Sequence, residues 1–116
     1  MNSDFQIIDL ITGQGEPAQH GDTVQVNYTG WLYENGNRTT QFDSSAGRPP
    51  FHMTIGVSRV IRGWTEGLIG MRVGGRRELI IPPDLGYGER GVPPVIPPGA
   101  TLSFEIEMLN LTKGRR

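Results

Sequence analysis

The sequence predicts an α+β domain: a mainly antiparallel sheet of five to six strands wrapped on one short amphipathic helix. Three observations lead there. Leu102, Phe104, Ile106 and Met108 alternate with Ser103, Glu105 and Glu107, the two-residue period of a strand with one buried face. In one segment Val57, Val60, Ile61, Trp64 and Leu68 recur instead at helical spacing. Eight of the nine prolines fall in four pairs, Pro49-Pro50, Pro82-Pro83, Pro93-Pro94 and Pro97-Pro98, and 17 glycines punctuate the chain. Such punctuation suits short strands joined by rigid turns and argues against a helical bundle.

Taken in order, Phe5 to Ile11 reads as a first strand. Gly13 to Gly21 is rich in turn residues. Val24, Val26 and Tyr28 alternate with Thr23, Gln25 and Asn27, and this strand continues through Trp31 and Tyr33. Asn35-Gly36 is a hairpin signal, because both central residues of a type I′ turn need positive φ. Phe42-Asp43 and Phe51 to Ile55 are short strands on either side of Ser44 to Pro50. The helical spacing covers Val57 to Leu68. Gly63, Gly67 and Gly70 each weaken a helix by about 1 kcal/mol relative to alanine, so packing on the sheet must hold it. Arg76 to Ile81 is a strand stopped by Pro82-Pro83. The last strand changes phase at Met108-Leu109, where a bulge would return Leu109 and Leu111 to the inward face.

The 116 residues fit a single domain, 1–116, with its core at about residues 5–111. There is no cysteine, which removes disulfides, thiolate metal sites and thiol nucleophiles together. His20 and His52 are too few for a histidine-only metal site. The net charge of −1 provides no field towards nucleic acid or an anionic membrane. No apolar run approaches a membrane-spanning length. Met1 to Phe5 lacks a basic segment followed by an apolar one, so the expectation is a cytoplasmic protein.

Gly86-Tyr87-Gly88-Glu89-Arg90-Gly91 matches G-x-G-x-x-G, but Val92-Pro93-Pro94 follows where a dinucleotide site needs a helix. Arg72, Arg76 and Arg77 read as a solvated strand face. Asp84 reads as a turn cap. Asn27-Tyr28-Thr29, Asn37-Arg38-Thr39 and Asn110-Leu111-Thr112 are chance matches to the glycosylation acceptor. The aromatics are more informative. Tyr28, Phe42, Phe51, Trp64, Tyr87 and Phe104 are too many for one dry core in a chain this short, so some of them line a concavity. Buried Tyr and Trp also need a polar partner.

Four blocks then meet a family. They are Tyr28-Thr29-Gly30 with Phe42-Asp43-Ser44-Ser45; Val60-Ile61-Arg62-Gly63-Trp64 with Gly67 and Met71-Arg72-Val73-Gly74; Ile81-Pro82-Pro83-Asp84-Leu85-Gly86-Tyr87-Gly88; and Ile96-Pro97-Pro98-Gly99-Ala100-Thr101-Leu102-Ser103-Phe104. In this order they closely resemble the FKBP-type peptidyl-prolyl isomerases over residues 5 to 111. The resemblance implies an antiparallel sheet curled around a helix that begins near Arg62, with the pocket between them. It implies that Trp64 is the pocket floor and that Tyr28, Phe42, Phe51, Val60, Ile61, Ile96 and Phe104 are its walls. It implies that Tyr87 and the Ile61 N–H donate to ligand carbonyls, and that Asp43 is the pocket carboxylate.

It also implies proline-containing peptides or unfolded proteins as partners, macrolides such as tacrolimus and rapamycin as ligands, and a monomer. Rotating an X–Pro bond needs no nucleophile, metal or cofactor. The sequence departs from the family pattern in a longer Tyr28–Phe42 connection and a shorter Ser45–Phe51 segment. Arg59 stands where an acid or amide is common, and Val92 and Pro94 fall in a loop that often differs. These positions bear on peptide preference. A peptide-binding module using the same pocket without turnover is the competing reading. The retained residue types at the pocket positions favour the isomerase.

Overall fold

The computed structural model describes residues 4–114. Six strands and one helix run in the order β1 (Gln6–Ile11), β2 (Thr23–Glu34), β3 (Asn37–Ser44), β4 (Phe51–Thr54), α1 (Arg62–Gly67), β5 (Arg76–Ile81) and β6 (Thr101–Thr112). All pairings are antiparallel, in the order β1-β5-β6-β2-β3, with β4 also on β2. The two long strands, β2 and β6, pair from Thr23↔Thr112 to Tyr33↔Thr101 and form the spine.

Along the other edge of β2 lie two partners, not one. β4 pairs with Thr23 to Val26 and β3 with Thr29 to Glu34. They are two halves of an interrupted edge strand, and residues 45–50 make the excursion between them. Ser45 secures the gap. It is buried, its N–H donates to the Tyr28 carbonyl, and its Oγ accepts the Tyr28 N–H, both at 2.9 Å. The Asn35-Gly36 turn has φ of 52° and 81°, the left-handed pair that a type I′ hairpin requires.

The inward face of the sheet carries Val24, Val26, Leu79, Ile81, Leu102, Phe104, Ile106 and Met108, and α1 packs across it through Trp64. The helix can lie this close because of its glycines. A Cβ on Gly63 would stand 2.6 Å from the Ile81 side chain, and one on Gly67 equally near Leu79. Glycine therefore costs helix propensity here and gains close packing on the sheet.

Three expectations need correction. The helix does not extend back to Val57, which is 75% exposed. Gly56 has a φ of +87°, and the chain stays in a loop until Ile61. The bulge at the end of β6 is present, since Gln25 faces Asn110 while Val26 faces Met108. Leu109 is the extra residue and remains exposed, while Leu111 returns to the core. Arg77 is not a solvated charge. The strand alternation of β5 turns it inward, and it is buried. Its Nη1 donates to the carbonyls of Gly67 and Ile69, both at 2.8 Å, and its Nε to Asp9 at 2.7 Å. It thereby satisfies carbonyls that the end of α1 leaves open.

Candidate functional site

Four strands, the helix and two loops each bring one part of a cavity of about 190 Å³ between the sheet and the helix. β2 contributes Tyr28, β3 Phe42 and Asp43, β4 Phe51, and β6 Phe104. The loop entering α1 contributes Arg59, Val60 and Ile61, the helix contributes Trp64, and the segment after β5 contributes Tyr87. Sequence positions 28 to 104 thus converge on one concavity. The cross-strand register sets part of this, since Gly30 lies opposite both Asp43 and Phe104.

The rings form a box around Trp64. Tyr28, Phe51 and Phe104 meet it edge to face, with centroids 5.1, 5.7 and 5.4 Å away. Phe42 meets Phe104 in the same way at 5.5 Å. This is the T-shaped geometry that ring quadrupoles favour. Gly30 keeps the box open behind Phe42 and Phe104. A Cβ there would stand 2.7 Å from the Phe104 ring and 2.9 Å from Phe42. Trp64 and Phe104 are buried, while Phe51 and Tyr87 stand partly in solvent. The arrangement is an apolar floor with an open mouth.

The polar groups divide into two kinds. Asp43 is fully engaged. It accepts the Tyr28 hydroxyl at 2.8 Å, the Ser44 N–H at 2.8 Å and the Arg48 guanidinium at 3.1 Å. Arg48 also donates to the Ser44 carbonyl at 2.6 Å, so it is a partner of Asp43 despite the shortened loop. The Tyr87 hydroxyl and the Ile61 N–H, by contrast, have no partner among the described residues. Burial, and then the nearby Asp43 charge, raise the Tyr87 pKa above the ordinary 10.0. Burial also raises Tyr28, and its bond to Asp43 adds to the effect. Both phenols are therefore protonated donors at neutral pH.

Nine of the ten site residues expected from the sequence line this cavity: Tyr28, Phe42, Asp43, Phe51, Val60, Ile61, Trp64, Tyr87 and Phe104. Ile96 lies outside the lining and is buried in the adjoining core, where its backbone pairs with Val92. Asp84 is exposed in the first turn of a short 3-10 segment, Pro83–Leu85. The structure adds Ser45 and Gly30 as supports. Their partners lie 17 and up to 74 residues away in sequence, so local pattern gave no sign of those contacts.

A curled antiparallel sheet closed by one short helix over an aromatic box defines a class of small α+β domain. The family follows from comparison. Residues 14–109 match the family model for FKBP-type peptidyl-prolyl cis-trans isomerases, and the chain belongs to that family. It is 53% identical over 106 residues to an FK506-binding protein of Neisseria meningitidis serogroup A, covering 90% of this chain and 94% of that one. It is 52% identical over 112 residues to FK506-binding protein 1A of Emericella nidulans, covering 96% and 99%. The peptidyl-prolyl cis-trans isomerase FKBP2 of Mus musculus is 50% identical over 97 residues, covering 83% and 66%. The crystal structure of AtFKBP13 superposes with a TM-score of 0.80 at 38% identity, covering 93% of each chain.

Proposed function

We propose that this protein accelerates rotation about X–Pro bonds by seating the proline ring against Trp64, without covalent chemistry. The observation that supports this most is the pairing of an aromatic box with two donors that have no partner among the described residues, Tyr87 and the Ile61 N–H, in a chain of this family.

The chemistry follows from the amide. Its C–N bond has partial double-bond character, and the rotation barrier is about 18–20 kcal/mol. For X–Pro the cis and trans forms differ by only about 0.5–1 kcal/mol, yet they exchange in about 10–100 s uncatalysed. At the twisted midpoint the nitrogen lone pair and the carbonyl are decoupled, and charge separation across the amide falls. An apolar cavity solvates that state better, relative to the planar amide, than water does. Tyr87 and Ile61 hold carbonyls flanking the rotating bond, so that the chain on one side turns against a fixed partner. Asp43, held by Tyr28 and Arg48, sets the electrostatic environment of the moving carbonyl. The same cavity is expected to take macrolides such as tacrolimus and rapamycin.

Exchange NMR of an Ala-Leu-Pro-Phe peptide tests the reading. The wild type is expected to broaden and merge the cis and trans resonances, and Trp64→Ala and Tyr87→Ala to do so much less while keeping the fold. Equal exchange in all three folded proteins would remove the pocket assignment.

A further inference from the structure

The next inference rests on the isomerase reading and names the substrates it favours. Two charged side chains line the aromatic cavity, Asp43 and Arg59. They are not equivalent. Asp43 already has an ion-pair partner within the protein, Arg48 at 3.1 Å, and receives two further hydrogen bonds. Arg59 is exposed and forms no hydrogen bond or ion pair with any described residue. Its neighbour Arg62 shows the contrast, since it pairs with Glu66 at 2.9 Å. The rest of the lining is neutral: Tyr28, Phe42, Phe51, Val60, Ile61, Trp64, Tyr87 and Phe104. Among the described residues the cavity thus carries one uncompensated positive charge, two residues before the Ile61 N–H that also has no partner there.

We propose that Arg59 makes this pocket select proline peptides that carry a carboxylate side chain on a residue next to the proline. A peptide carbonyl held by the Ile61 N–H brings the side chains flanking the proline alongside the entering loop. A carboxylate there gives Arg59 the partner it lacks, and an ammonium there is repelled. The site is open to water, so the preference is modest and falls with salt. Rim charges of this kind act mainly on encounter with the ligand.

The test is catalysed exchange by the full chain on end-blocked peptides. Ala-Glu-Pro-Phe is compared with Ala-Lys-Pro-Phe, Ala-Leu-Pro-Glu with Ala-Leu-Pro-Lys, and Ala-Leu-Pro-Phe serves as the neutral reference. In at least one pair kcat/KM for the Glu member exceeds that for the Lys member by about fivefold, the size that one exposed attraction and one exposed repulsion produce together. That ratio falls towards one in about 0.5 M salt, where charges beyond a few ångströms are screened. Arg59→Gln brings the ratio near one, and Arg59→Glu inverts it. Equal catalysis of both members in both pairs by the wild type overturns the proposal. So does a preference that survives Arg59→Gln. Absence of catalysis on the neutral reference is a different failure: it overturns the isomerase reading, and the proposal with it.

Discussion

The two ends of α1 are finished in opposite ways. At the C-terminal end the carbonyl of Gly67 and, just beyond it, that of Ile69 are met by the buried guanidinium of Arg77, itself anchored on Asp9 of the edge strand. At the N-terminal end Ile61 stands extended at ψ 149°, and among the described residues no side chain caps the first turn and its N–H has no partner. Polar groups without partners cost stability unless something completes them. One end is completed by the chain, and the other opens on the aromatic cavity. That asymmetry separates what holds the fold from what is left for a ligand.

The sharpest way to break the comparison is at the finished end. Arg77→Ala strands two carbonyls and loosens β1, and it is expected to lower stability by about 2–4 kcal/mol. A urea midpoint reads this, and exchange activity per folded molecule is expected to change little. Gly63→Ala comes next. Helix propensity favours alanine by about 1 kcal/mol, but overpacking a core costs about 1–3 kcal/mol. With Ile81 only 2.6 Å from the added Cβ, the clash wins and the midpoint falls.

At the open end the order of effects reverses. Tyr87→Phe removes a hydroxyl that bonds no described residue, so stability is expected to hold. One lost hydrogen bond of about 0.5–1.5 kcal/mol lowers kcat/KM about two- to tenfold. The smallest effect is on pH. Tyr28 and Tyr87 both have pKa values raised above 10.0. Below that value each is protonated in both the folded and unfolded chain, and contributes nothing pH-dependent. Above it the unfolded chain releases its protons first, so the two tyrosines cost stability only as pH rises beyond 10.0. A stability profile read by urea between neutral pH and about 11 tests this, and a tyrosine-linked loss that begins well below 10.0 contradicts it.

The same contrast governs how much was legible beforehand. β6 carries strong apolar alternation because one face is covered, and β5 ends in an apolar run that Pro82-Pro83 stops, so the extent of both is readable directly. β3 was readable only at Phe42-Asp43. Its first half, Asn37 to Gln41, is an edge with almost nothing to bury, so it leaves no apolar period. The helical spacing reaches back to Val57 although the helix starts at Arg62, because spacing alone does not distinguish a turn of helix from a loop lying in the same direction. Most of the pocket followed from the aromatic blocks and the family resemblance. Arg77 did not, because in sequence a buried arginine looks like its half-exposed neighbour Arg76, paired with Glu105, until the partners on β1 and α1 are in place. Arg59 is visible as a departure from the family pattern, but its lack of a partner among the described residues is a property of the folded chain alone.

The most direct measurement is the set of backbone amide shifts as an X–Pro peptide is titrated into the protein. If the open end of α1 is the ligand site, the Ile61 amide moves downfield as it gains an acceptor. Shifts then spread through Phe42, Trp64 and Tyr87, while Gly67 to Gly70 stay fixed. A larger groove of about 540 Å³ lies on the other face of the sheet along Asn27, Thr29, Trp31 and Arg38. Shifts centred there, with Ile61 unmoved, would contradict the account.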